Sequence, residues 1–513
     1  PVDTREAMDW SGQVDLPGMP LRLTVHLTPK PGGAWEGTID IPQQGVRGLA
    51  LRDVEVSEEE LDFVLAPPGT TEERWAIFAL GRTGAEARGV LDQGGRSFPT
   101  SLRRLAPGED TGPRRPQTPK EPFPYATREV TVRRGEVALA CTLALPAGEG
   151  PRPAVVMLSG SGAQDRDEAI FDHRPFAVIA DHLARGGIAS LRCDDRGVGG
   201  STGKYMETTE EELALDAVAM IDALAGEAGI RGDAIGLLGH SEGAIVAPQA
   251  AAGAGKKVAF MVLLAGPAVK AEEILVAQIE DLGRAAGKSE EAVGREVKAE
   301  RALLAVLGGA KAKDKGAVTA AVEALVAVQT EGQSLDEGTR TAVVNQTVDQ
   351  LVTPWFVSFV RNDPAKWLRR AKKIPTLALN GERDLQVRAS VNLPAMKKAM
   401  AGARDLTTEA LPGLNHLFQP AERGTVEEYE KIEVTIAPAV LERIAGWIGE
   451  RTAGKGAGKA AGAKGEEARA AAPAEGAGKV EAKEAKEAKE DAREGAKGKG
   501  AEAKASPVVP PSQ

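Results

Sequence analysis

The stretch AIGLLGHSEGA, residues 234–244, joins a short apolar run to the pattern Gly-x-Ser-x-Gly. The run predicts a buried strand, and the residues after Gly243 predict the start of a helix. A serine at so sharp a strand-to-helix turn has a strained backbone conformation, at a cost of about 1–3 kcal/mol. Its hydroxyl stands at the helix N-terminus, where developing negative charge is favoured. The pattern predicts Ser241 as a catalytic nucleophile, with an ordinary helix N-cap as the alternative.

Apolar runs separated by helical stretches recur through residues 125–450. Continuous rather than alternating runs are typical of strands covered on both faces, as in a parallel sheet flanked by helices. Together with the strand-turn-helix around Ser241, they predict an α/β fold, specifically the α/β-hydrolase fold with a mostly parallel sheet. The predicted strands span residues 136–146, 154–158, 188–191, 234–238, 258–265, 374–379 and 406–411.

A serine nucleophile needs a base, and the chain has five histidines. His416 follows the last predicted strand, where the α/β-hydrolase order of Ser, Asp or Glu, and then His places the base. His240 adjoins the nucleophile and faces the wrong way to take its proton. The others, His26, His173 and His182, lie in the N-terminal region or near the first helix. We predict His416 as the general base; a purely hydrogen-bonding role in its loop is the alternative.

The acid that orients this histidine should follow the preceding strand. Asp384 ends the turn after the run 374–379 and lies between Ser241 and His416 in the chain. A buried carboxylate there would hold the imidazole tautomer and stabilise its cation. Glu382 is the second candidate, and a solvated surface position is the alternative for either residue.

Backbone donors are needed to stabilise the negative charge of a tetrahedral intermediate. One predicted donor is the N–H of Glu242, directly after the nucleophile, and the other is the N–H of Ser161 in the turn after strand 154–158. Each such donor contributes about 3–4 kcal/mol to lowering the barrier. Gly160 and Gly162 would allow close approach, although a plain flexible turn would also contain them.

Five motifs resemble those of the bacterial EstD-type esterases of the α/β-hydrolase superfamily. The resemblance covers residues 125–450 and implies the same triad of Ser241, Asp384 and His416. Ser159 departs from the pattern, because many α/β-hydrolases have His in a His-Gly pair there, so we expect a different set of contacts to hold the oxyanion turn. The motifs are SGSGAQDRDE (159–168), RCDDRGVGGSTG (192–203), GHSEGA (239–244), LNGERDLQV (379–387) and GLNHLFQ (413–419).

Composition shifts predict four regions. Residues 1–107 contain short alternating runs between turn residues, which predict a small all-β N-terminal domain. Residues 108–124 form a Pro-rich linker, and residues 125–450 form the hydrolase domain, with a helical cap inserted at about 268–372. Residues 451–513 are Ala, Gly, Lys and Glu repeats, for which we expect a disordered tail.

The composition excludes several classes of protein. With 64 Lys+Arg, 74 Asp+Glu and a net charge of −10, the chain lacks the basic surface that nucleic acid requires. No apolar run approaches the roughly 20 residues of a transmembrane helix. We expect no cofactor and no metal, because the chain lacks G-x-G-x-x-G after a strand and zinc-type His/Cys spacing. The segment GGSTGK (199–204) lacks the other residues of a phosphate-binding loop.

Two features leave the cellular location open. The sequence begins with Pro1, which favours a removed signal peptide and export to a periplasmic or extracellular location, with a cytoplasmic protein as the alternative. Cys141 and Cys193 are more often buried small hydrophobes than redox groups, and the sequence does not decide whether they are bridged. It gives no oligomeric state either.

The predicted activity is hydrolysis of a small-molecule, short-chain carboxylic ester through an acyl-enzyme. The same triad would serve an acyltransferase, a thioesterase or a serine peptidase. A non-enzymatic alternative makes the β-domain and tail an interaction module for a surface or polysaccharide. Trp10, Trp35 and Trp75 could stack on a sugar, although core packing is favoured.

Overall fold

The computed structural model describes residues 6–16, 20–41, 46–66, 72, 75–106, 109, 114–254, 257–332 and 336–453. The predicted tail from residue 454 onward lies outside the described residues, as do residues 108 and 110–113 of the predicted linker. The described residues form two sheets, one in the N-terminal region and one in the region that contains the serine motif.

The N-terminal sheet has nine strands, all paired antiparallel, in the order β4-β3-β2-β1-β9-β8-β7-β6-β5. Alternate residues of β2, Leu23, Val25 and Leu27, are buried, so the period-two pattern places one face of the sheet on the core. The predicted all-β N-terminal domain is confirmed. Its strands are β1 (Met8–Val14), β2 (Leu21–Pro29), β3 (Trp35–Ile41), β4 (Val46–Ala50), β5 (Arg52–Val56), β6 (Glu60–Leu65), β7 (Ala76–Thr83), β8 (Glu86–Gln93) and β9 (Arg96–Arg104).

The tryptophans of this domain differ in exposure. Trp10 is fully buried in the core of the β-domain, and Trp35 packs against that core. Trp75 is partly buried beneath the guanidinium of Arg52. Trp10 therefore has no face free for a sugar, and its role is core packing.

The second sheet has eight strands in the order β10-β11-β13-β12-β14-β15-β16-β17. The pairs from β13 to β17 are parallel, and β10 and β11 form an antiparallel edge. All residues of β15 and β16 are buried, which explains their continuous apolar runs. The predicted α/β-hydrolase fold is confirmed. Its strands are β10 (Ala126–Arg134), β11 (Val137–Leu145), β12 (Arg152–Leu158), β13 (Ala189–Cys193), β14 (Ile230–His240), β15 (Phe260–Leu264), β16 (Thr376–Gly381) and β17 (Leu406–Leu411).

Helices cover both faces of this sheet. Helices α2, α3, α9 and α10 contribute to the core on one face, and α1 and α12 contribute to the core on the other. A capping box formed by Thr209 and Glu212 fixes the start of α2. The helices are α1 (Pro175–Arg185), α2 (Glu210–Ala225), α3 (Gly243–Ala254), α4 (Ala271–Ala285), α5 (Glu290–Gly308), α6 (Lys315–Gln329), α7 (Glu337–Leu351), α8 (Pro354–Arg361), α9 (Pro364–Ala371), α10 (Ala389–Ala399), α11 (Val426–Tyr429) and α12 (Pro438–Thr452).

Helices α4–α9 lie in the chain between β15 and β16, within the interval predicted to be a cap; we call them the insertion helices. Much of their apolar surface forms a separate core that includes Leu303, Val322, Val348 and Trp355. The same core contains Ile245 of α3, so the insertion packs directly on the helix that follows the serine motif. This contact brings the insertion helices close to Ser241.

The two cysteines are bridged. Cys141 of β11 lies directly opposite Cys193 of β13, and a disulfide joins them with an S–S distance of 1.99 Å. The sequence had left this pairing open. Of the helices in the described ranges, none combines the length and the apolar character needed to cross a bilayer.

The described part of the predicted linker is held against the hydrolase domain. The guanidinium of Arg115 donates hydrogen bonds to the backbone carbonyls of Phe171, Glu430 and Ile432. Because a planar guanidinium with three carbonyl partners has a fixed orientation, Arg115 ties this segment to the loop before α1 and to the segment after α11. Proline-rich sequence predicts the absence of a helix or strand here, but not this attachment.

Candidate active site

Ser241 lies at the sharp turn between β14 and α3. Its φ of +51° is in the left-handed region, which a non-glycine residue seldom adopts. The backbone N–H of Ser241 donates to the carbonyl of Leu264 at 2.9 Å, at the end of the neighbouring strand β15. The strained turn predicted from the sequence is therefore present, and it sets the side chain at the carboxyl end of the sheet.

The two glycines of the motif make this turn possible. A Cβ on Gly239 would lie 2.1 Å from the carbonyl oxygen of Gly243, and one on Gly243 would lie 2.1 Å from that of Leu158. Both distances are far below a permitted contact, so any side chain at either position would displace backbone. The chain needs glycine here for space.

The imidazole of His416 is hydrogen-bonded to Asp384. His416 Nδ1 lies 2.9 Å from Asp384 Oδ2, and both side chains are almost completely buried. The other ring nitrogen, Nε2, makes no hydrogen bond to a described residue. The structure thus brings together the predicted base and its predicted orienting acid, from the loops after β17 and β16.

Asp384 is held by further donors. Its Oδ1 accepts hydrogen bonds from the backbone N–H groups of Gln386 and Val387 at 2.9 and 2.8 Å, and its Oδ2 accepts one from Asn380 Nδ2 at 3.0 Å. These donors, together with His416, fix the position of the carboxylate. Glu382, the second candidate, is exposed and has no hydrogen bond to His416.

The two predicted oxyanion residues lie beside Ser241, the predicted nucleophile. Ser161, Ser241 and Glu242 line one pocket at the carboxyl end of the sheet. The rest of its wall is mainly apolar, and two helices of the insertion, α4 and α8, contribute to it. The remaining lining residues are Pro267, Ile274, Leu275, Gln278, Phe359, Gln386 and Val387.

Ser159, which departs from the family pattern, is held by a buried acid. Its hydroxyl donates to Asp195 Oδ2 at 3.1 Å, and the backbone N–H of Gln164 donates to the same oxygen at 2.9 Å. Burial raises the pKa of Asp195 well above its ordinary value. Gln164 Nε2 in turn donates to the carbonyl of Ser161. This acid fixes the turn that carries Ser161 through hydrogen bonds to its backbone and to Ser159.

The side chain of Glu242 has a role that the sequence did not predict. It is buried, and it accepts hydrogen bonds from Trp355 Nε1 at 2.7 Å and from the hydroxyl of Tyr205 at 3.0 Å. Burial raises the pKa of Glu242 and that of neighbouring Glu210. Asn362 donates a hydrogen bond to Glu210. Both acids are therefore bonded by residues of the insertion region, Glu242 by Trp355 and Glu210 by Asn362. The only signal in the sequence was a carboxylate inside an apolar motif.

Among the described residues, no group of three or more His, Cys, Asp or Glu side chains is arranged to hold a metal ion. The buried acids near Ser241 instead accept hydrogen bonds from protein donors, as the contacts of Asp195 and Glu242 show.

Comparison with known proteins agrees with this geometry. The sequence profile of the family described as serine aminopeptidase, S33, matches residues 172–419, which include Ser241, Asp384 and His416. The esterase EstD of Thermotoga maritima is 26% identical over 332 residues, which cover 64% of this chain and 68% of that protein. The chain is thus similar to EstD and to the serine aminopeptidase family. With its α/β-hydrolase fold, it is a serine hydrolase.

Solved structures similar to this α/β-hydrolase share little sequence with it. Est1E of Butyrivibrio proteoclasticus has a TM-score of 0.37 at 13% identity, over 64% of this chain and 99% of Est1E. An esterase of Pyrococcus furiosus has a TM-score of 0.40 at 14% identity, over 67% of this chain and 98% of that one. Similarities this low do not bear on function.

Proposed function

We propose that this serine hydrolase cleaves carboxylic esters of small acyl groups through Ser241, His416 and Asp384. The observation that carries the proposal is the buried hydrogen bond between His416 Nδ1 and Asp384 Oδ2, at 2.9 Å, on the loops that follow the last two strands. The pair lies at the end of the sheet where Ser241 occupies its strained turn. Acyl transfer by serine requires a histidine that a carboxylate orients in this way.

In the proposed mechanism, His416 Nε2 takes the proton of the Ser241 hydroxyl as Oγ attacks the ester carbonyl. The N–H groups of Glu242 and Ser161 stabilise the resulting oxyanion. His416 then gives its proton to the departing alcohol, leaving an acyl group on Ser241. Water, deprotonated by the same imidazole, releases the acid, and each proton transfer contributes about 10²–10⁴ in rate.

The pocket beside Ser241 supports a short acyl group. Its wall includes Ile274 and Leu275 of α4 and Phe359 of α8, which would contact an alkyl chain and exclude water. The insertion helices would therefore act as the cap over the acyl site. EstD of Thermotoga maritima is named an esterase, which agrees with an ester as the substrate.

Replacement of the nucleophile tests the proposal. Ser241→Ala should abolish hydrolysis of p-nitrophenyl acetate, and a fluorophosphonate should label the peptide that contains Ser241 in the unmodified chain. Ser390→Ala, at an exposed serine of α10, is the matched control and should keep full activity. Labelling at another residue, or undiminished turnover by Ser241→Ala, would refute the triad.

Product analysis distinguishes the ester hydrolase from its alternatives. Offered an ester, a thioester and an amide of the same acyl group, with and without an added alcohol, the protein should release mainly free acid from the ester. Faster thioester or amide cleavage, or transfer to the alcohol, would instead indicate a thioesterase, peptidase or acyltransferase.

We also propose that the protein works in an oxidising compartment, as an exported protein would. The supporting observation is the disulfide between Cys141 and Cys193, because such bridges persist mainly outside the reducing cytosol. Alkylation and mass measurement of the protein taken directly from its native cells should find both thiols blocked. Two free thiols in that sample would contradict the proposal.

A further inference from the structure

A second histidine, His240, links the nucleophile strand to two neighbouring loops. It precedes Ser241 and is buried. Its Nδ1 lies 2.9 Å from Glu168 Oε1, and its Nε2 lies 3.1 Å from the backbone carbonyl oxygen of His416. Both ring nitrogens therefore face away from the Ser241 hydroxyl, as the sequence predicts, and each contacts an element of the site.

The two partners of His240 define its protonation state. A carboxylate and a backbone carbonyl are acceptors only, so both contacts are hydrogen bonds only when both ring nitrogens carry a proton. Burial alone would lower the pKa of His240, but the negative charge of Glu168 and the hydrogen bond to it outweigh burial, and the pKa is raised. The geometry and the charges thus agree on a buried imidazolium paired with a carboxylate.

Glu168 has a second partner in the oxyanion turn. The same oxygen, Oε1, accepts a hydrogen bond from the backbone N–H of Gly160 at 2.6 Å, and Gly160 precedes Ser161 in the chain. Glu168 is only 1% exposed, and its φ of +53° is strained for a residue other than glycine. Such strain persists only where the surrounding contacts hold it, which is common at functional sites.

We propose that Glu168 and His240 are positioning residues that fix the loop of His416 and the turn of Ser161 in register with the nucleophile. The inference rests on the proposed function, because it assigns the pair to that same site. One end of the pair holds the backbone of His416, and the other holds the backbone next to Ser161. Both groups must lie within tenths of an ångström of their working positions, since a 1 Å displacement can cost about 10²-fold in rate.

The pair of Glu168 and His240 also sets an upper pH limit for activity. The ionisable groups that face His240 are Glu168 from the loop after β12, Asp384 from the loop after β16, and His416 from the loop after β17, its ring centroid 4.8 Å from that of His240. As pH rises through the raised pKa of His240, one ring proton is lost. Neutral imidazole has one donor for two acceptors, so either Glu168 or the His416 carbonyl loses its hydrogen bond and activity falls.

The test compares Glu168→Gln with His240→Gln in the full chain. The probe is a fluorophosphonate, and the measured quantity is its rate constant for labelling Ser241 as a function of pH. Both variants should label about 10- to 100-fold more slowly at neutral pH. We call the fall in labelling rate at high pH the alkaline limb. In Glu168→Gln, which lacks the carboxylate charge, this limb should shift to lower pH. In His240→Gln, which lacks the imidazole, it should be absent. His182→Gln, at a partly exposed histidine of α1, is the matched control and should match the unmodified chain.

A structural role alone would lower the melting temperature without moving the alkaline limb. Folded variants whose labelling rate and pH profile match those of the unmodified chain would overturn the inference. Should both variants fail to fold, ¹⁵N-histidine spectra of the unmodified chain decide. These spectra must contain one solvent-protected imidazole with both nitrogens protonated at neutral pH. The absence of such a signal would also overturn the inference.

The labelling assay separates this inference from the proposed function. If Ser241 of the unmodified chain does not react with the fluorophosphonate, the triad itself is wrong. If it reacts and the two variants react equally well, the triad stands and only the positioning role of Glu168 and His240 fails.

Discussion

Replacement of Asp384 by asparagine should reverse the hydrogen-bonding of the His416 imidazole. The amide keeps the shape of the carboxylate but has one acceptor and one donor end. Its oxygen is needed by the backbone N–H groups of Gln386 and Val387, which lie 2.9 and 2.8 Å from Oδ1. The amide NH₂ must then face His416 Nδ1, which becomes an acceptor. The proton moves to Nε2, so the ring can no longer accept the proton of Ser241.

The magnitude follows from this change of tautomer. Where the Asp of a Ser-His-Asp triad becomes Asn, kcat falls about 10⁴-fold, or about 5 kcal/mol in the barrier. The new NH₂ also opposes Asn380 Nδ2, which lies 3.0 Å from Oδ2 and is itself a donor. A buried donor without an acceptor costs about 1–3 kcal/mol, so the free energy of unfolding should fall by that amount.

The assay is steady-state hydrolysis of p-nitrophenyl acetate, with urea unfolding to confirm that the variant is folded. Glu382→Gln is the matched control: it is the same chemical change two residues away, at an exposed side chain, and should stay within twofold of the unmodified kcat. A folded Asp384→Asn variant that keeps more than a tenth of the activity would refute the tautomer reasoning. Loss of activity in Glu382→Gln instead would move the orienting role to that residue.

Three further predictions concern stability, measured by urea unfolding. Trp355→Phe removes the donor 2.7 Å from buried Glu242 and should cost about 1–3 kcal/mol; no loss would contradict a role for this bond in holding the insertion. Burial raises the pKa of Glu300 from 4.5 to about 7. The stabilising contribution of the protonated carboxyl is therefore complete below pH 4.5 and is lost as the pH rises to 7. Glu300→Gln should raise the free energy of unfolding by about 3 kcal/mol at pH 8 and leave it unchanged at pH 4. Replacing both Cys141 and Cys193 by Ala should cost about 4 kcal/mol through the chain entropy of a 52-residue separation, and an unchanged midpoint would contradict this.

The elements that position Ser241 follow from local patterns in the sequence. The continuous apolar runs correspond to β12, to the second half of β14, and to β15 and β16, because a strand buried on both faces has no polar position to interrupt it. The edge strand β17 is only partly buried, and polar residues interrupt its sequence. The glycines at 239 and 243 are required by distances of 2.1 Å to backbone oxygens, a constraint that the motif already contains. The order of the triad along the chain is likewise a local property of the loops after each strand.

The sequence gives no comparable signal for the surroundings of the triad. Glu168, Asp195 and Glu242 are charged residues in polar loops or at a helix start, and such residues are ordinarily exposed. Each is buried here because its partner comes from a distant part of the chain: His240 for Glu168, Ser159 for Asp195, and Trp355 for Glu242. Pairings across 36 to 113 residues depend on how the strands are ordered in the sheet, which local composition does not encode.

The buried acids near Ser241 show why the missed residues matter for chemistry. A carboxylate enclosed without donors would be driven to its neutral form and would contribute no fixed field. Glu168 Oε1 accepts hydrogen bonds from Gly160 and His240, and Asp384 accepts hydrogen bonds from four donors, so protein contacts fix the position of each carboxylate. Each carboxylate bonds one of two histidines whose ring centroids lie 4.8 Å apart. In the proposed mechanism His416 uses its free Nε2 to take the serine proton, whereas His240 has no free ring nitrogen for such a transfer. The difference in partners explains this division: the His416 ring bonds one carboxylate through Nδ1, and the His240 ring bonds an acceptor at both nitrogens.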